Sequence, residues 1–304
     1  MTQTKRYLPS NDYLFRKIVG SDQHPEITKG IISDLLGIQI ESLTVLNPFD
    51  IEWYRKQDVT QLSLQETIVD VLVRLKDNTL VIIEVQTGIQ RYFVERIFYY
   101  TTKRSIDEYG NHELMRTQIG SDQKYSAIHP TFGISILDFI LFNTDDDPLH
   151  EFSFFDIQHG YYLNPKDYRS KDGQLFGLTF LELGKPVENT SKNIRYLIEF
   201  FKGNKLEVDA PDYLKEALEM TEVQNLSAEE RDMIFRADIA REDRKGQLLY
   251  AKEEGQREGR EIGLIEGRKA VAKAALRKGL GLDDIAEITG LDLTTLLRLE
   301  SESK

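Results

Sequence analysis

Asp70, Glu84 and Gln86 are the residues of this chain whose types and setting could do chemistry. They stand in TIVDVLVRLKDNTLVIIEVQTG (67–88), where each interrupts an apolar run of Val, Ile and Leu. A carboxylate taken out of water needs a partner. Two carboxylates a few ångströms apart repel unless a cation lies between them or one is protonated. Ligation by one or two carboxylates, with water completing the shell, describes a Mg²⁺ site. Such an ion can activate water and stabilise charge developing on a phosphate. The same residues admit a second reading, a structural polar pair neutralised by Arg or Lys. Gln86 could orient water or a phosphate oxygen, but it cannot neutralise charge as a lysine would.

Whether the two carboxylates share a face depends on the turn between their strands. Side chains alternate along a strand, which groups Asp70 with Ile68, Leu72 and Arg74, and Glu84 and Gln86 with Leu80 and Ile82. A two-residue loop at Asp77-Asn78 would oppose Asp70 to Val85 and put the carboxylates on opposite faces. A three-residue loop, Lys76-Asp77-Asn78, would oppose Asp70 to Glu84. Asn78 tolerates the left-handed conformation that such a loop demands at its third position. The sequence therefore predicts the three-residue loop and a shared face.

The elements that must hold this hairpin can be read on either side of it. Asn11 or Asp12 can cap a helix containing Leu14, Phe15 and Ile18. A second helix is expected over 25–36, from Pro25 to Gly37. Residues 90–109 read as an amphipathic helix with Phe93, Ile97 and Tyr100 on one side. The near-continuous apolar run 129–142 suits a central strand covered on both faces. Asp145-Asp146-Asp147-Pro148 reads as a solvated loop, and 175–183 as a further strand. From about residue 187 the pattern turns helical, with Ile194, Leu197, Ile198 and Phe201 in one stripe. Ser227-Ala-Glu-Glu230 is a capping box opening a long helix. That helix carries Gly255, Gly259, Gly263 and Gly267, each costing roughly 1 kcal/mol against alanine. The glycines read as a charged, semi-flexible connector or as a close helix–helix contact in a homo-oligomer. The chain closes on LDDIAEITGLDLTTLLRL (282–299), a helix-turn-helix-like hairpin with Ile285, Ile288, Leu293, Leu296 and Leu297 available for a small core. Before it, RKAVAKAALRKGL (268–280) carries five basic residues and no acidic one. Packing or dimerisation and nucleic-acid contact are both open readings of this tail.

Composition narrows the classes. Of 304 residues, 40% are hydrophobic and 30% charged, enough for a real core, and there is no cysteine. Disulfide scaffolds, Cys-based zinc clusters and thiol nucleophiles are excluded, and a reducing cytoplasm is the expected setting. The N-terminus lacks an apolar signal region, and no run approaches the roughly 18 apolar residues of a membrane span. A net charge of −12 counts against indiscriminate binding to nucleic acid, although a local basic strip could still track a phosphate backbone. The five histidines are scattered, and neither a P-loop lysine nor a G-x-S-x-G elbow is present.

Asp followed by a strand turn and Glu-x-Gln resembles the PD-(D/E)XK pattern of nucleases. One branch, the recombination-promoting nuclease/putative transposase family, is similar to this chain over most of its length. NDYLFRKI (11–18), VDVLVRL with VIIEVQ (69–86), FVERIFYY (93–100), KYSAIHPTFGISILDFILF (124–142) and LELGKP (181–186) carry the likeness in order. The resemblance implies an α/β fold, a restriction-endonuclease-like core with a central mixed β-sheet flanked by helices, over residues 1–205. An all-α C-terminal extension over 206–304 follows. It implies a Mg²⁺-dependent DNA endonuclease, one that promotes recombination. Asp70 and Glu84 would hold the ion, the Val85 carbonyl would be an extra ligand, and Gln86 stands where the superfamily usually has lysine. Asp12 would be a third acidic contributor or only a helix cap. Arg96 and Tyr100 would sit beside the scissile phosphate or support the sheet. Two alternatives stay open: a degenerate nuclease fold acting as a DNA-binding or oligomeric interaction protein, and an RNA-directed or toxin-like nuclease.

Overall fold

Asn11 starts the first helix. Its Oδ1 accepts from the backbone N–H of Tyr13 (3.0 Å) and Leu14 (3.3 Å), two of the donors a helix start leaves orphaned. The computed structural model describes residues 5–47, 49, 70–111, 128–163 and 174–303. Ile68 and residues 124–127 of the KYSAIHPTF block lie outside them. Helix α1 spans Asp12–Val19 and α2 spans Pro25–Leu36, the latter ending on Gly37 at φ 64° as expected. Strand β1, Leu43–Val45, then leads to the hairpin of β2, Val71–Leu75, and β3, Leu80–Gln86.

The turn between β2 and β3 holds three residues. Leu75 N–H donates to Thr79 O at 2.8 Å, Asn78 N–H to Leu75 O at 2.9 Å, and Asn78 takes φ 67°. Val71 opposes Ile83 and Leu72 opposes Ile82, so one further step opposes Asp70 to Glu84. The shared face follows from that register.

Helix α3, Phe93–Asn111, crosses over to β4, Thr131–Leu137. Strands β5, Leu149–Ser153, β6, Phe155–Asp156, and β7, Tyr161–Tyr162, precede β8, Phe176–Glu182. Among the described residues, six strands form one mixed sheet in the order β1-β2-β3-β4-β8-β5, with β6 and β7 as a separate ribbon. β3, β4 and β8 run parallel; the remaining pairings of the sheet are antiparallel. The apolar run 129–142 does supply a central strand, but only to Leu137. Beyond it the chain leaves the sheet, because Glu182 Oε1 accepts the N–H groups of Leu141 and Phe142 (3.0 Å to Phe142). The following acidic loop is exposed at Asp145, Asp146 and Asp147, as read from the sequence, and is tied to the fold through Lys185. Asp145 Oδ1 lies 3.4 Å from Lys185 Nζ, which is buried and also donates to Asp147 O (3.0 Å) and pairs with Glu182 Oε2 (2.8 Å).

The two faces of the sheet bury different helices. Val71, Val73, Val81, Ile83, Ile134, Ile136 and Leu181 pack with α1, α2 and the helices that follow β8. Those are α4, Lys192–Phe201, α5, Asp212–Glu219, and the first turns of α6, Ala228–Arg277. Phe15, Phe200 and Phe201 are fully buried in this core, and each such side chain contributes about 2–3 kcal/mol. The opposite face carries Leu137, Leu178 and Phe180 against Phe93 and Ile97 of α3. Gly133 permits that approach: a Cβ there would lie 2.6 Å from Thr101 Oγ1 and 3.0 Å from the Leu178 side chain. The capping box of α6 forms as read, with Ser227 Oγ accepting from Glu230 N–H (3.1 Å) and Glu230 Oε2 from Ser227 N–H (2.8 Å).

Packing divides the chain into two units, Met1–Arg241 and Glu242–Lys304. In the second, α7, Leu282–Thr289, and α8, Leu293–Ser303, bury Ile285, Leu296 and Leu299 with Ala272. Ile288, Leu293 and Leu297 are exposed, not part of this small core. At roughly 100° per residue, Leu293 and Leu297 lie to the side of Leu296 away from Leu299, so both turn outward. Helix α6 runs unbroken through its four spaced glycines, and among the described residues no atom beyond the neighbouring helix backbone lies within 4 Å of a Cβ added at any of them. Among the described residues no helix is long and apolar enough to cross a membrane.

Candidate active site

The carboxylates meet where the parallel strands end, the edge at which open α/β sheets bind ligands. Asp70 directly precedes β2. Its Oδ1 accepts from Arg16 Nη2 at 2.6 Å, and its Oδ2 accepts the backbone N–H of Val85 at 2.9 Å. Glu84 is 7% exposed; its Oε1 accepts from Ser135 Oγ at 3.4 Å and lies 3.9 Å from Arg96 Nη2. Direct cross-strand neighbours have Cβ atoms about 5 Å apart, so the two acids are in each other's field.

That field and burial hold both acids above their ordinary range. Burial pushes Asp70 up to about 6, against the pull of the Arg16 guanidinium and with a further push from Asp12. Burial pushes Glu84 up to about 7; repulsion by Asp70 adds to it, while Arg96 and Ser135 oppose it. The repulsion belongs to the pair and falls on the group that ionises second, here Glu84. In the ion-free protein this edge of the sheet therefore stores unfavourable negative charge, which a cation would relieve.

Each residue singled out in the sequence has a place here. Gln86 Oε1 accepts from Arg96 Nη2 (3.0 Å), and its Nε2 donates to Gly88 O (3.0 Å). Arg96 also donates to Gln90, and its guanidinium lies over the rings of Phe93 (5.3 Å) and Tyr100 (5.9 Å). Tyr100 thus supports Arg96. Asp12 is the first residue of α1; Asn11 is the cap, and Asp12 Oδ1 faces Arg16 Nε at 3.5 Å. Val85 directs its N–H at Asp70, and the N–H and C=O of one strand residue point the same way, so its carbonyl faces that side as well. Arg16 and Ser135 are site residues that sequence reading missed. Ser135 had a signal, being a lone hydroxyl inside GISILDF; Arg16 had only its position four residues after Asp12.

The donor set fits a hard divalent cation: two carboxylates and one backbone carbonyl, all oxygen. His24, Glu26 and Glu216 also bring ligand-type atoms within 4.8 Å of one another, but on an exposed surface where His24 Nδ1 pairs with Glu216 (2.8 Å) and Glu26 (3.4 Å). The family model of PD-(D/E)XK nuclease family transposases matches residues 9–251. The chain belongs to that family, whose nucleases generally use divalent metal ions and take DNA as substrate. No curated protein and no solved structure matches the chain.

Proposed function

We propose that this member of the PD-(D/E)XK nuclease family transposases is a Mg²⁺-dependent DNA endonuclease that hydrolyses phosphodiester bonds, with strand cleavage serving DNA recombination. The observation that carries the reading is the opposition of Asp70 to Glu84 across β2 and β3, both acids held up by burial and with the Val85 carbonyl on the same side. These three groups would hold the ion. Bound there, it supplies Lewis acidity toward a phosphate oxygen and makes water acidic enough to serve as nucleophile near neutral pH.

The missing lysine is the chief objection to catalysis, and Arg96 answers it. Gln86 holds that guanidinium at the end of β3, so a positive charge stands where residue 86 supplies none. Arg96 Nε is buried with no hydrogen-bond partner among the described residues, which leaves the group donor capacity for a phosphate oxygen after a small shift. Gln86 acts through Arg96, and Tyr100 props it from below.

The test is nicking of supercoiled plasmid in Mg²⁺ by wild type, Asp70→Ala, Glu84→Ala and Arg96→Ala. Wild-type nicking is expected, falling by about 10³-fold or more in the acid variants and about 10²-fold in the arginine variant. A wild-type rate no higher than that of the acid variants overturns the enzyme reading. One observation favours the rival, a fold that binds DNA without cutting: Asp70 already has a cationic partner in Arg16. Plasmid retardation without nicking would support that rival.

A further inference from the structure

We propose that Arg16 is a positioning residue for Asp70, itself fixed by Asp12, and that this Asp12–Arg16–Asp70 chain sets the affinity of the site for its divalent ion. The inference rests on the reading of Asp70 and Glu84 as ion ligands.

Arg16 does two things at once. Its Nη2 donates to Asp70 Oδ1 at 2.6 Å and its Nε to Asp12 Oδ1 at 3.5 Å, joining the first helix to the catalytic hairpin across 54 residues of chain. The Arg16 and Asp70 side chains are each only 11% exposed, so water does little to weaken the bond. With Val85 N–H on Oδ2, both Asp70 oxygens are held from outside and the carboxyl plane cannot turn. Each carboxylate oxygen still has a second lone pair to offer.

The anchor behind Arg16 is stiff. Asn11 caps α1 and also donates from Nδ2 to Ile234 O (3.2 Å) and Asp238 Oδ1 (2.9 Å), which fastens α1 to α6. Lys17, the next residue, pairs with Glu230 on the same helix. A carboxylate ligand positioned by a donor on a rigid element loses less freedom when it takes up an ion. Removing hydrogen-bonding partners of metal ligands costs about 10–100-fold in affinity. The alternative, that Arg16 simply occupies the place of the ion, predicts the opposite sign, since its removal would free Asp70.

The experiment is a Mg²⁺ titration of the full chain without DNA, followed by calorimetry and by the ion-dependent shift in melting temperature relative to each variant's own value in EDTA. Arg16→Gln is expected to weaken Mg²⁺ binding about 10–100-fold, and Arg16→Lys to recover only part of the loss because lysine cannot span both carboxylates. Asp12→Asn keeps the Arg16–Asp70 bond and hence the fold, and is expected to weaken binding by several-fold. It carries the test if Arg16→Gln does not fold. A purely structural role would lower the melting temperature in EDTA and leave Mg²⁺ affinity unchanged. Unchanged or tighter binding in Arg16→Gln, or unchanged binding in Asp12→Asn where that variant carries the test, overturns the assignment while the metal site stands. A wild-type chain that binds no divalent ion overturns both.

Discussion

Replacing Glu84 by Gln should make the ion-free protein more stable, although it removes a proposed ligand. Folded Glu84 holds its proton to about pH 7, against 4.5 as its ordinary value. Between those limits the folded state binds more protons than the unfolded chain, so stability falls as pH rises through the window and the full cost is present above it. At about 1.4 kcal/mol per pH unit, the cost near pH 8 is about 3 kcal/mol. With Glu84 only 7% exposed, solvent screening removes little of it. Glutamine keeps the shape and an acceptor for Ser135 and carries no charge. In EDTA near pH 8 the variant should unfold about 3 kcal/mol later by urea titration, or about 6–12 °C higher for a unit of this size. Near pH 4.5 the two proteins should converge. Saturating Mg²⁺ should stabilise wild type by RT ln(1 + [L]/Kd) and so close the gap from the other side. A variant no more stable than wild type near pH 8, or a gap that persists at pH 4.5, would refute the account of Glu84 as a buried, charge-frustrated acid.

Other outcomes follow from the same contacts. Lys185→Met removes the cation paired with the fully buried Glu182 and should cost about 3–5 kcal/mol in urea unfolding; a loss under about 1 kcal/mol would refute a stabilising role for this pair. Asn11→Ala removes both the α1 cap and its tie to α6 and should cost about 1–2 kcal/mol, read by thermal melting. Gly259→Ala with Gly263→Ala should stabilise α6 by roughly 1 kcal/mol each, since nothing lies close to either position. A lower helical melting temperature in that pair would mean that a second chain packs against the glycines.

What could be read in the sequence was what short-range geometry decides. Turn length, Asn78 and side-chain alternation placed Asp70 opposite Glu84, and the capping box at Ser227 and the stop at Gly37 are equally local. The end of β4 was not legible, because Phe139, Leu141 and Phe142 are apolar for a different reason: they pack beside α3 after the chain has left the sheet. Strand β5 was missed because its residues are only partly buried, which blurs the alternation. Arg16 was out of reach for a stronger reason. Its bond to Asp70 spans 54 residues, and no periodicity announces a partner at that range. Arg96 was picked out, but its bond to Gln86 depends on the crossing of α3 over the sheet.

The three-residue turn at Lys76–Asn78 has a consequence for how this hairpin can vary. It sits at the far end of β2 and β3 from the acids, about 17–20 Å away at roughly 3.3 Å per residue, and touches nothing at the site. The register it sets nevertheless decides whether Asp70 and Glu84 face one another or turn their backs. A residue added there can be taken up by a four-residue loop with the acids still opposed, or by a one-residue slip that parts the acids and also turns Val71 and Val73, or Val81 and Ile83, out of the core. The apolar residues on the other face of β2 and β3 therefore guard the opposition of the two acids, since a slip that parted them would also unpack the core.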